Sequence, residues 1–299
     1  MLSKKLLDRF LITPGESVKL DELPTTCKGF DELKELRKDD LKDQARELLQ
    51  ESIDDLSGAQ ELLWASDVHS VLVVLQAMDA AGKDGIIKHV FSGVNPRTCQ
   101  VVSFKRPSDE ELDHHFLWRV DARTPERGRI GIFNRSHYED VIVVRVHPEI
   151  LDGAKLPPAK RDRKFWEARF EDINGFERHL HRNGTVIRKF FLHVSKEEQR
   201  KRFLERLEDP GKLWKFSLGD LEERGYWDEY MKAYEEAIRA TSTEWAPWYV
   251  VPADEKWATR AIVAHIIAST IRSLDLRFPD VSDEERARYE AARRKLQKE

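Results

Sequence analysis

Residues 71–85 read Val-Leu-Val-Val-Leu-Gln-Ala-Met-Asp-Ala-Ala-Gly-Lys-Asp-Gly, and this stretch restricts the fold more than any other. Its first five residues form a short, partly β-branched apolar run. That is the pattern of a strand buried on both faces, as in a parallel sheet. Small residues then turn the chain, and Ile86, Ile87 and Val90 follow at helical spacing. Strand, small-residue turn with a lysine, then helix is the layout of a phosphate-binding loop. The physical basis is the helix start, where unpaired N–H groups and the positive end of the dipole face an anion. Lys83 adds a mobile point charge, and Ala80, Ala81, Gly82, Asp84 and Gly85 complete the candidate cradle.

The stretch departs from the usual G-x-x-x-x-G-K-[ST] pattern. Ala77 stands at the first Gly, and Asp84 replaces the Ser or Thr that would hold magnesium. Asp79 is a carboxylate inside a loop built for anions, where it is repelled unless a cation sits between. It therefore argues for bound Mg²⁺, or for a structural loop that binds no phosphate.

Composition narrows the class. A chain of 299 residues with 40% hydrophobic residues can bury a sizeable core. Charged residues make 35% but nearly cancel, to a net −4, which is not the profile of a nucleic-acid binder. Any polyanion site must be a local basic patch. Two cysteines, Cys27 and Cys99, with no paired spacing imply a reducing compartment and no metal cluster. With no signal-like apolar segment and no membrane-spanning run, a cytoplasmic protein without a membrane partner is expected.

Along the chain, residues 1–27 read as an irregular arm punctuated by Pro14, Gly15 and Pro24. Leu33, Leu36, Leu41, Ala45, Leu48, Leu49, Ile53 and Leu56 recur at roughly helical spacing, predicting a long amphipathic helix that reaches Trp64 with an irregularity at Ser57 and Gly58. Strands are predicted over 99–104, 129–133, 185–194 and 247–252, with another over 141–146 on propensity, although Tyr138, Val141 and Ile142 also fit a helix face. Ser108 with Glu111, and Ser195 with Glu198, read as capping boxes, the first opening a helix through Trp118 and Arg119. Helices are expected over 161–180 and 254–275, and a frayed charged tail from Asp280. Strands alternating with helices predict an α/β fold with a mainly parallel sheet and helices on both faces. The partition is 1–66 as arm and packing helix, 67–280 as core, and 281–299 as tail.

Ligands of such sheets sit at the carboxyl ends of the strands. One polar strand end carries Asp79 to Lys83. Another is Asn134, Arg135 and Ser136, after Ile-Gly-Ile-Phe. An Arg just past a buried strand can grip phosphate bidentately, or can serve as a structural ion pair. Together, Gln-Ala-Met-Asp-Ala-Ala-Gly-Lys-Asp-Gly at 76–85, His-Val-Phe-Ser-Gly-Val-Asn-Pro at 89–96 and Ile-Phe-Asn-Arg-Ser-His-Tyr-Glu-Asp at 132–140 resemble the second family of polyphosphate kinases. Further similar segments lie at 189–193, 214–216 and 246–252, so the resemblance runs from about residue 60 to about 275. It implies a thymidylate-kinase-like, P-loop kinase-like three-layer α/β/α fold with a mobile lid at about 105–128 and an N-terminal helical extension.

The implied activity is transfer of the terminal phosphate between inorganic polyphosphate and nucleotides (AMP, ADP/ATP or guanine counterparts), with Mg²⁺ or Mn²⁺, in a homo-oligomeric dimer or tetramer. By motif, Asp79, Lys83, Asn134 and Arg135 would be catalytic, and Asp79 and Glu139 would hold metal. Lys105, Arg119, Ser136, Arg202 and Arg206 would contact nucleotide or polyphosphate. The resemblance also ties Asn134, an Asp in other members, to acceptance of both mono- and diphosphates. Such transfer needs no strong general base, because the acceptor phosphate is already ionised near neutral pH. Positioning and charge neutralisation suffice. Two rivals are an ATP-dependent nucleotide kinase, which Asp84 disfavours, and a non-catalytic nucleotide- or polyanion-binding protein, which the joint presence of Asp79, Lys83 and Arg135 disfavours.

Overall fold

Six strands form one sheet in the computed structural model, which describes residues 4–27, 38–154, 156, 157 and 160–299. They are β1 (Leu11–Ile12), β2 (Ser70–Gln76), β3 (Cys99–Ser103), β4 (Ile130–Asn134), β5 (Thr185–His193) and β6 (Trp248–Pro252). Their order across the sheet is β1-β6-β5-β2-β4-β3. Every pairing is parallel except β1 with β6. The apolar run opening the 71–85 stretch is β2, buried along its whole length between β4 and β5. Chain order changes sides at β2, so its end is a crevice where ligands of doubly wound sheets collect.

Helices cover both faces. Lys38–Ser66, Lys83–Val90 and Lys256–Arg272 pack together, while Trp227–Thr241 packs with Arg163–Arg182, which lies on β5. This is the expected three-layer α/β/α arrangement. The long helix Lys38–Ser66 runs unbroken through Ser57 and Gly58 and buries Ile53, Leu56, Ala59 and Leu63 along Lys256–Arg272. That apolar face is thus covered by the chain itself and does not alone call for a partner subunit. Leu33 and Leu36 lie outside the described residues.

Five expectations are corrected. The segment 4–27 is not an irregular arm: a short helix, Lys4–Asp8, precedes β1, and Leu6, Phe10, Ile12, Val18 and Leu20 enter the main core. Residues 141–146 do not form a strand. Both edges of β4 are already paired, and the chain instead follows a 3₁₀ turn, His137–Asp140, with a helical turn, Val143–Val146, burying Val141, Ile142 and Val144. The capping box at Ser108 forms, but its helix stops at Leu112, and Trp118–Asp121 is a separate turn. At Ser195 only half the box forms, because Glu198 turns to Arg202 instead. The tail is helical over Asp283–Leu296, started by a reciprocal box of Ser282 and Glu285, and wholly exposed. Among the described residues no helix is long and apolar enough to cross a membrane.

Candidate active site

Sheet register builds the site. Leu75 of β2 and Ser103 of β3 both pair with Asn134 of β4, so β2 and β4 end side by side. The loop 77–82 and the turn 135–140 therefore leave the sheet at the same level. Gly82 caps the helix Lys83–Val90 with φ +119, a conformation that favours glycine. Ala80 and Arg135 are non-glycine residues with φ +61 and +63, held there by their surroundings.

The carbonyls of the loop are held from behind. Gln199 Nε2 donates to Asp79 O at 3.0 Å, and Arg202 Nη1 donates to Ala80 O and Ala81 O, both at 2.9 Å. Across a planar trans peptide the next N–H points the opposite way, so these bonds also set the N–H directions of Ala80, Ala81 and Gly82. Arg202 Nη2 donates to Ala253 O and Asp254 O, and its Nε to Glu198. All five of its N–H groups are engaged, and the side chain is buried. Arg202, expected to contact phosphate, thus clamps the loop from behind, and it also lines the cavity in front of it.

In front of the loop, opposite charges meet. Arg135 donates from Nη2 to Asp79 Oδ1 at 2.9 Å and from Nη1 to Glu139 Oε2 at 3.3 Å. Glu139 first, and then Asp79, hold its pKa above the usual arginine range against burial. Lys83 Nζ folds back onto Ala77 O at 2.8 Å. Burial pushes its pKa down, with Asp79 working the other way. Asn134 Nδ2 donates to Asp84 Oδ1 at 2.9 Å, so the residue in the Ser/Thr position is tied across to β4. Asp79, Lys83, Asn134, Arg135 and Glu139 are thus brought together. Ser136 is not with them: its buried Oγ accepts from Gln76 and from the Tyr138 N–H. Arg119 is not with them either: it donates to Lys105 O at 2.8 Å beneath Phe104 and lines a different cavity, together with Lys105.

A cavity of about 770 Å³ opens on Lys83, Asp84, Gly85 and Arg135. Arg206 lines it, paired with Asp220 at 3.5 Å. Sequence reasoning singled out none of Lys88, Lys256 and Arg260, which also line it, nor Asp220, whose pKa burial and then Asp79 push up. The Lys- and Trp-rich stretch 212–220 was the available signal, and it delivers Lys212, Trp214 and Lys215 to the same wall. No cluster of three or more potential metal ligands occurs among the described residues. Yet Asp79 and Glu139 converge on one guanidinium, so the space between them already holds positive charge. Two hard oxygen ligands suit Mg²⁺, which completes its shell with water and substrate phosphates.

The profile of the family Polyphosphate kinase 2 (PPK2) matches residues 38–279. The chain belongs to the polyphosphate kinase 2 family. It is 51% identical over 291 residues to an ADP-polyphosphate phosphotransferase of Rhodopseudomonas palustris, covering 97% of this chain and 98% of that protein. It is 52% identical over 224 residues to an AMP/ADP-polyphosphate phosphotransferase of Meiothermus ruber, covering 75% and 80%. The crystal structure of polyphosphate kinase 2 from Arthrobacter aurescens TC1 superposes with a TM-score of 0.77 at 39% identity, over 92% of this chain and 98% of that one.

In this polyphosphate kinase 2 chain a second cavity, of about 670 Å³, lies beside the first. Phe104, Pro107, Leu112, Phe116, Leu151 and Phe165 give it an apolar wall, and Lys105 and Arg106 a basic rim. Asp140 and Arg169 face it, the latter between the Phe116 and Phe165 rings at 4.7 and 5.1 Å. Burial pushes the Asp140 pKa up to about 6 against the pull of Arg169. Arg135 lines both cavities.

Proposed function

We propose that the protein moves the terminal phosphoryl group between inorganic polyphosphate and nucleoside mono- and diphosphates. The observation that carries this reading is Arg135, which lines a cation-walled cavity on one side and an apolar-walled cavity on the other. Polyphosphate offers charge and no other recognisable group, which suits the first. A nucleotide offers an aromatic base and a short anion, which suits the second. The ATP-dependent kinase reading is less well supported, because Asp84 replaces the magnesium-holding hydroxyl and is hydrogen-bonded to Asn134.

In this mechanism an oxygen of the acceptor phosphate attacks the terminal phosphorus of the chain. The bridging P–O bond breaks, and the shortened polyphosphate leaves as an anion. Lys83 and the N–H groups at the start of the helix Lys83–Val90 hold the transferred group, and Arg135 turns from its carboxylates to grip it. Asp79 and Glu139 would hold Mg²⁺, which would neutralise phosphate charge as it redistributes. The test omits ATP: protein, Mg²⁺, ADP and polyphosphate are incubated, and ATP is read by chromatography. ATP should appear, and Lys83→Ala should lower turnover about 10²–10³-fold, as loss of a transition-state charge contact does. No ATP from the parent protein, or parental turnover in Lys83→Ala, would overturn the reading.

Acceptance of both AMP and ADP is assigned to Asn134. A carboxylate in its place would lie against Asp84 and require a cation there, fixing the register of the phosphates. An amide donates and accepts, and tolerates an acceptor one phosphate nearer the base. Asn134→Asp should therefore lower kcat/KM for AMP more than for ADP at saturating polyphosphate. An unchanged ratio in the folded variant would move acceptor choice elsewhere.

A cytoplasmic setting is supported by two free cysteines, Cys27 and Cys99. A homo-oligomer, dimer or tetramer, is supported by exposed Leu204, Leu207, Leu213, Leu218 and Leu221 on neighbouring elements. Sedimentation should give a species above the 35.0 kDa chain mass, and a monomer alone at micromolar concentration would contradict this part.

A further inference from the structure

The turn 135–140 carries both Arg135 and Glu139, and it begins at a left-handed Arg, which local sterics disfavour. Ser136 Oγ and the bond from Arg135 N to Leu75 O fix its start. Its middle is fixed from deeper in the molecule. Tyr138 Oη donates to Glu177 Oε1 at 2.9 Å, and His137 Nε2 meets the same oxygen at 3.2 Å. Lys189 Nζ, on β5, engages all three of its donors: Glu177 Oε2 at 2.6 Å, Thr241 O at 2.6 Å and Tyr138 Oη at 2.9 Å. Glu177, Lys189, His137 and Tyr138 are all fully buried.

A buried ion pair is weak evidence for stability, because desolvation of both charges offsets their attraction, and apolar residues of similar volume often replace such pairs without loss. Burial opposes the Glu177 carboxylate, and Lys189 and then His137 overcome it, holding its pKa below the usual range. The bonds of this pair lead to the two residues that separate Ser136 from Glu139. A direction-specific network of that kind restrains geometry, which an apolar filling would not do.

We propose that Glu177 and Lys189 are positioning residues for phosphoryl transfer, acting through His137 and Tyr138 to hold the turn that aims Arg135 between Asp79 and Glu139. The inference rests on the reading of Arg135 as a contact of the transferred group. It assigns work to a buried ion pair whose side-chain hydrogen bonds run to His137, Tyr138 and Thr241 O.

Direct removal of Glu177 or Lys189 leaves a buried charge and endangers folding, so the test uses Tyr138→Phe, which keeps the pair and the ring and removes only the linking hydroxyl. Turnover of ADP and polyphosphate is measured for the parent, Tyr138→Phe, Arg135→Ala and the double variant, with thermal unfolding of each. Tyr138→Phe should lower kcat about tenfold while KM for polyphosphate stays within about twofold. In the Arg135→Ala background the same change should cost less than about twofold, because the group being aimed is gone. Equal losses in both backgrounds, or no loss in the parent, would overturn the inference and leave the reading of Arg135 standing. Parental turnover in Arg135→Ala would instead remove the reading of the site, and this inference with it.

Discussion

The parallel ladder between β2 and β4 is the constraint on which the rest depends. Its register sets Leu75 opposite Asn134, so the loop after β2 and the turn after β4 emerge together at the point where the strand order reverses. A slip of one residue would exchange the two faces of β4 and carry Asn134 away from Asp84. Both strands are apolar and buried on both faces, so the register is held by the core itself, remote from any ligand.

On that frame the site solves an electrostatic problem. A surface able to receive a polyanion must be cationic, yet it also needs carboxylates if metal is to be held there. Arg135 lies between Asp79 and Glu139 and pairs with both acids. Lys83 rests on a loop carbonyl. Lys83 and Arg135 thus each have an internal oxygen partner to leave, and Mg²⁺ or water can serve that oxygen in their place. Arg202 has the opposite design. It is buried, and its five N–H groups go to four backbone carbonyls and the Glu198 carboxylate.

Much of this was legible in the sequence, for identifiable reasons. β2, the loop and the helix at Lys83 are local, each written within a few residues by apolar run, small residues and spacing. The motif around Arg135 was legible for the same reason. Tertiary context decided the rest. Residues 141–146 have strand propensity, but β4 has no free edge to offer them. β1 is only two residues long, too short for a strand pattern, and only the edge of β6 tells it where to lie. Arg202 and Arg206 are one helical turn apart in a basic helix and line the same cavity, and the sequence cannot say which of them the loop carbonyls engage. The second cavity was visible only as a lid. Its apolar wall combines residues near 104–116, 151 and 165, which no spacing rule connects.

The central claim is that two separate cavities meet at Arg135, so that donor chain and acceptor nucleotide are bound together and the phosphoryl group passes directly between them. Initial-velocity kinetics test this most directly: ADP is varied at several fixed concentrations of polyphosphate of one chain length, and double-reciprocal plots are drawn. The account predicts lines that intersect, the pattern of a ternary complex. Parallel lines, the pattern of a phosphorylated enzyme formed before the nucleotide binds, would contradict it.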